Sequence, residues 1–117
     1  MSATDSYRDL PRTVSQNMAS LRTSTPGVMK AFGELGRAAT PPGVLDTKTK
    51  ELIALAIGVA VRCDDCIAFH TKAAIEQGAT KDEILEPLPM AIYMGAGPSG
   101  MYASHALAAY DQFTAKE

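Results

Sequence analysis

Apolar residues in this chain recur three and four positions apart, the spacing of a helix stripe, and no segment alternates as a half-buried strand would. A chain patterned this way must bury stripes against one another rather than sheet faces, so the expected fold is all-α, a compact bundle of about six short helices with no sheet. Leu10, Val14, Met18 and Leu21 form one stripe over about Ser6 to Leu21. Pro11 suits the first turn of a helix beginning near Leu10. Thr25-Pro26 reads as N-cap and first residue of a helix reaching about Arg37, with Val28, Phe32 and Leu35 turned inward. Thr40-Pro41-Pro42-Gly43 is a connector.

Asp46 or Thr47 caps the next helix, which extends to about Val61. Another begins around the two cysteines and ends before Gly78, a residue suited to the left-handed position after a helix. Thr80 and Glu83 have the spacing of a capping box over a short helix. Pro87 and Pro89 end it and allow a new start toward Met94. Gly95 to Gly100 is expected to be a loop, and Met101 to Phe113 the last helix. The absence of strands excludes a thioredoxin fold for the cysteines.

At 117 residues the expectation is a single domain spanning 1–117, long enough to bury a real core without structural metal or a disulfide framework. Eleven basic against thirteen acidic residues leave a net charge of −2 with no basic cluster, which argues against nucleic acid and anionic membrane as partners. The longest apolar run, Leu52 to Val61, is far short of a membrane span. The opening MSATDSYRDLPR lacks the apolar stretch of a signal peptide, so the expected location is cytoplasmic. In a reducing compartment, two cysteines three apart point to redox chemistry, to metal or to chance.

The informative segment is Glu51 followed by Cys63-Asp64-Asp65-Cys66-Ile67-Ala68-Phe69-His70. On a helix, Cys63, Cys66, Ile67, His70, Ala73, Ala74 and Gln77 share one face, while Asp64, Asp65, Thr71, Lys72 and Glu76 lie largely on the other. Cys66 and His70 stand one turn apart. If the preceding helix folds back about a turn near Val61, Glu51 comes to lie beside His70. A carboxylate beside an imidazole beside a thiol is a proton relay, in which the ring takes the thiol proton and the carboxylate orients the ring. A second cysteine then allows a sulfenic acid formed at a peroxide to condense to a disulfide. Cys66, with the base at contact spacing, is the expected attacking thiol, and Cys63, nearer the helix end, the resolving one. Asp64 and Asp65 oppose an acidic thiol.

The spacing Glu51, Cys63-x-x-Cys66, His70 resembles the core motif of the alkylhydroperoxidase AhpD-like members of the carboxymuconolactone decarboxylase superfamily. Ala91-Ile92-Tyr93-Met94-Gly95-Ala96-Gly97-Pro98 resembles that family's glycine-rich loop, and the resemblance covers roughly Pro42 to Phe113. It implies an all-α subunit assembling into homotrimers or homohexamers. It also implies reduction of a small-molecule peroxide through a redox-active Cys63–Cys66 disulfide, with no other cofactor and with electrons from an external dithiol such as a lipoyl-carrying adaptor. Glu51 and His70 would form the relay, Cys66 the attacking thiol and Cys63 its partner. The chain departs from the alkylhydroperoxidases in carrying Asp65 where they have a histidine before the second cysteine.

Other readings attach to the same residues. Cysteines on an apolar face are often core residues. Cys63, Cys66 and His70 have zinc-like spacing with His105 as a fourth ligand, yet no second paired-ligand motif anchors a metal, so none is expected. His105 is expected to pack at a helix or subunit contact with Tyr102 and Ala109 on its face. Met29, Met90, Met94 and Met101 read as core or interface filler. The alternative functions are a carboxymuconolactone decarboxylase-like lyase and a non-catalytic redox-sensing module. The run Leu52 to Val61, apolar all round, demands cover on every side, which predicts a homo-oligomer.

Overall fold

The computed structural model describes residues 6–115. Six helices run through them: α1 (Ser6–Ser24), α2 (Pro26–Ala39), α3 (Thr47–Ala60), α4 (Asp64–Glu76), α5 (Lys81–Leu85) and α6 (Leu88–Thr114). No strand occurs among the described residues, and the fold is all-α as the periodicity requires.

The helix ends follow local chemistry. Asp46 caps α3 by accepting the Thr49 amide at 2.8 Å. Thr80 and Glu83 make the full capping box on α5, each side chain accepting the other's backbone N–H. After α4, Gly78 takes φ 90°, and the Gly78 and Ala79 amides donate back to Ile75 and Ala74. That pairing needs a left-handed residue, which glycine supplies without steric cost. Lys50 donates to the Ala39 and Pro41 carbonyls and ties the connector to α3. Arg8 donates to the Gln112 and Ala115 carbonyls and so anchors α1 to the end of α6.

The core lies where α3, α4 and α6 pack together. Leu55 and Val59 of α3, Ile67 of α4 and Ile84 of α5 are fully buried, and Ala106 and Ala109 let α6 approach closely. α1 lies across α4 and α6 with Tyr7 buried beneath it. Trimming a side chain such as Ile67 to alanine in this setting costs about 2–5 kcal/mol. No helix among the described residues is long and apolar enough to cross a membrane.

Four local expectations are corrected. α1 starts at Ser6, a turn ahead of Leu10, with Pro11 inside it. The proline's missing N–H orphans only the Tyr7 carbonyl in the first turn, and burial of the Tyr7 ring holds that turn in place. Val28, Phe32 and Leu35 point outward, because α2 packs on α1 and buries no residue within the chain. Residues 95–100 are not an open loop. α6 runs through them with a kink at Ala96 (φ 62°, ψ −151°), placed where Pro98 cannot donate to the Met94 carbonyl. Gly95 sits so close to Ser99 that any Cβ there would overlap the serine side chain. Finally, Thr71 faces inward and is fully buried, its hydroxyl without a hydrogen-bond partner. The buried arc of α4 is Ile67, Ala68, Thr71 and Ala74, since α1 covers it as well as α3 and α6.

Within one chain α3 is not covered all round. Ile53, Ile57 and Val61 are exposed, and Ile53 and Ile57 line an apolar groove of about 610 Å³ with Leu52, Ala56, Pro87 and Met90.

Candidate active site

The site is built on the turn joining α3 to α4. α3 ends with Arg62 in the left-handed region (φ 62°), its amide donating to Val59 and that of Cys63 to Gly58. This is the double hydrogen bond of a Schellman ending, here without the usual glycine. Cys63 then becomes the N-cap of α4, with its Sγ accepting the Cys66 amide at 3.1 Å. Cys63 therefore precedes the helix rather than lying within its stripe. Cys63 and Cys66 form a disulfide, their Cα atoms 5.2 Å apart.

Gly58 makes the close approach possible. A Cβ at that position would stand 3.0 Å from Cys66 Cβ, so the glycine lets α3 lie directly against the second cysteine. One turn beyond Cys66, His70 Nδ1 is 2.7 Å from Glu51 Oε1. Glu51 is buried at 8% exposure, and the His70 side chain keeps 35%. A carboxylate only accepts, so Nδ1–H donates to it and leaves the Nε2 lone pair able to receive a proton. The hairpin thus brings Glu51 to His70 as the spacing predicts. Cys66 and His70 lie at the edge of the buried arc, half-buried rather than enclosed. Reactive thiols need that access.

A second carboxylate–imidazole pair, Asp64 with His105, adjoins the cysteines in sequence. Asp64, between them in sequence, accepts the Tyr7 hydroxyl at 2.6 Å on the same Oδ1 that lies 2.8 Å from His105 Nδ1. The His105 ring meets Tyr102 and Tyr7 in tilted contacts at centroid distances of 4.8 and 5.9 Å. Burial first, and then the Asp64 carboxylate, keep the Tyr7 phenol protonated far above its usual range. His105 does face Tyr102 as expected, but its polar partner is Asp64. Reasoning from spacing could not find this cluster, since its members come from α1, α4 and α6 and share no local motif. Among the described residues no group of three or more His, Cys, Asp or Glu is arranged to hold a metal ion.

Comparison with known proteins places the chain in a family. An uncharacterized protein of Cupriavidus necator is 42% identical over 102 residues, covering 87% of this chain and 90% of its own length. The uncharacterized protein 4 of the cox locus of Paracoccus denitrificans is 39% identical over 82 residues, covering 70% of this chain and 74% of its own. Among solved structures, a carboxymuconolactone decarboxylase family protein of Legionella pneumophila superposes with TM-score 0.89 at 44% identity, covering 95% of this chain and 99% of that one. A Thermotoga maritima member of that family with a possible role in an antioxidative response gives TM-score 0.69 at 32% identity, with 81% and 86% covered. Residues 26–109 match the carboxymuconolactone decarboxylase family, a span that takes in α2 ahead of the expected Pro42 boundary and leaves α1 outside. With that match across most of its length and these relatives, the chain belongs to the carboxymuconolactone decarboxylase family.

Proposed function

We propose that the protein is a dithiol peroxidase of the alkylhydroperoxidase kind, working through Cys63 and Cys66. One observation carries the reading: the disulfide at the start of α4 stands one turn from an imidazole whose far nitrogen is fixed by a buried carboxylate. In the reduced protein His70 Nε2 takes the Cys66 proton. The thiolate attacks one peroxide oxygen, the O–O bond breaks, and the leaving oxygen departs as water or an alcohol after taking up a proton. Cys66 is then a sulfenic acid. The Cys63 thiol attacks that sulfur, the S–S bond forms and water leaves. An external dithiol, a lipoyl group among the candidates, returns two electrons and two protons. Asp65 replaces the histidine that precedes the second cysteine in the alkylhydroperoxidases, so proton transfer falls to His70 alone. The possible antioxidative role of the Thermotoga relative agrees with this chemistry.

The active form is a homotrimer or a homohexamer of two paired trimers; the exposed apolar faces of α2 and α3 support assembly, and the numbers follow the family resemblance. Peroxide consumption with several dithiol donors, with mass spectrometry of the cysteine pair, tests the chemistry. Cys66→Ser and Cys63→Ser should each abolish turnover and the intramolecular disulfide. Normal turnover by Cys66→Ser would refute the attacking thiol. A lactone decarboxylase activity that survives cysteine alkylation would replace the peroxidase reading by a lyase, and a pair that oxidises without turning over would leave a redox sensor.

A further inference from the structure

We infer that Tyr7, Asp64 and His105 form a clamp in which two donors disperse the charge of Asp64, one of the two carboxylates between the cysteines, and thereby keep the thiols acidic enough to react. The inference rests on the reading that the pair performs thiol chemistry. Asp64 is the first residue of α4, next to Cys63 and two before Cys66. A free carboxylate there would raise the pKa of both thiols and work against the relay. The helix itself gains from a negative charge in its first turn, so the fold retains the group. The clamp reconciles the two demands. Two donors from two other helices converge on one oxygen, Tyr7 Oη at 2.6 Å and His105 Nδ1 at 2.8 Å, and draw its charge away from the sulfurs.

Packing alone does not explain the arrangement. Phenylalanine would fill the buried site of Tyr7 equally well, and the hydroxyl donates to Asp64. Tyr7 belongs to α1, which lies outside residues 26–109 that match the family. α1 presents Tyr7, and α6 presents His105 with Tyr102 tilted against it. α3 presents Glu51, bound to His70; the exposed Arg62 precedes the pair in sequence, and Asp65, the second carboxylate between the cysteines, is exposed to solvent. Tyr7 stays protonated across the working range and remains a donor throughout.

Tyr7 and His105 are positioning residues, so the test reads the thiol rather than turnover. Protein reduced with dithiothreitol is alkylated with iodoacetamide from pH 5 to 10, and mass spectrometry resolves Cys63 from Cys66. Tyr7→Phe should move the profile of the more reactive thiol upward and slow its alkylation at pH 7 by about three- to tenfold. Asp64→Asn should move the profile downward. In the Asp64→Asn background, Tyr7→Phe should change nothing further, because the charge that its hydroxyl disperses is gone. His105→Gln, at a half-exposed site that tolerates change, gives a second and independent reading against the same background. An unchanged profile in folded Tyr7→Phe or His105→Gln, or an equal effect of either with and without the Asp64 charge, overturns the inference. A shifted profile in a protein that consumes no peroxide would leave the clamp standing and remove the peroxidase reading.

Discussion

Replacing Glu51 by glutamine isolates the charge of the relay from its geometry. Glutamine has the same reach, and its amide oxygen can still accept Nδ1–H from His70, so the ring keeps its tautomer and orientation. What disappears is the attraction that builds up when the ring takes the Cys66 proton. For opposite charges about 4 Å apart near a protein surface that attraction is worth about 4 kcal/mol at an effective dielectric constant of about 20. The His70 side chain is 35% exposed, and solvent screening of that order removes about half. About 2 kcal/mol remains, which corresponds to about a thirtyfold slower proton removal. The assay is a single turnover: pre-reduced protein is mixed with peroxide, quenched with acid, and the Cys63–Cys66 disulfide is quantified against time. Circular dichroism controls for folding, because the glutamine amide leaves buried hydrogens to satisfy and costs about 1–3 kcal/mol of stability. His70→Gln should slow the same step by about 10²–10⁴-fold, and Glu51→Gln should add nothing in that background. A wild-type rate in folded Glu51→Gln would show that the carboxylate charge takes no part in the proton transfer.

Three further outcomes are expected. Gly95→Ala forces a methyl into Ser99 at the α6 kink and should cost about 1–3 kcal/mol, lowering the melting temperature, whereas adding Ser99→Gly should restore part of the loss. A Gly95→Ala melt at or above wild type would refute the close packing. Hydrogen bonds from Thr49 hold the Asp46 carboxyl below its usual range, and the Lys48 amine, then the Thr80 amide, do the same for Glu83. Their contribution is present above the ordinary carboxylate range and is lost as pH falls through the lowered values, so thermal melts should weaken below about pH 4 and less so in Asp46→Asn with Glu83→Gln. Light scattering at micromolar concentration should report a multiple of the 12.4 kDa chain, and a mass near 12 kDa would refute the assembly.

Where a sequence signal rests on neighbours in the chain, the structure follows it. Asp46, Thr80 with Glu83, and Gly78 each mark a helix end whose hydrogen bonds close within a few residues. The Glu51–His70 contact was legible for a related reason, since a short hairpin fixes which turns of its two helices face each other. The misreadings arise where distant packing decides. Glycines and a proline between residues 95 and 100 suggest a loop, but Gly95 is there to clear Ser99 and Pro98 to open the helix after the kink. The stripe of α2 is genuine, yet no other helix of the same chain covers Val28, Phe32 and Leu35. Thr71 reads as polar and outward until α1 is laid across α4.

The turn at Arg62 shows why the thiol site depends on this particular connection. Its two backbone hydrogen bonds end α3, and the next residue, Cys63, begins α4 by capping the Cys66 amide with its own sulfur. No residue of slack separates the two helices. Each residue added there would turn α4 by about 100°, carrying His70 away from Glu51 and Asp64 away from Tyr7 and His105 together. The left-handed Arg62 costs about 1–2 kcal/mol relative to a relaxed conformation. The structure holds it because the same geometry sets Cys66 against Gly58, His70 against Glu51 and Asp64 against His105. Both carboxylate–imidazole pairs are therefore registered by a single left-handed residue, and the chemistry of the site is coupled to the hydrogen bonds that end α3.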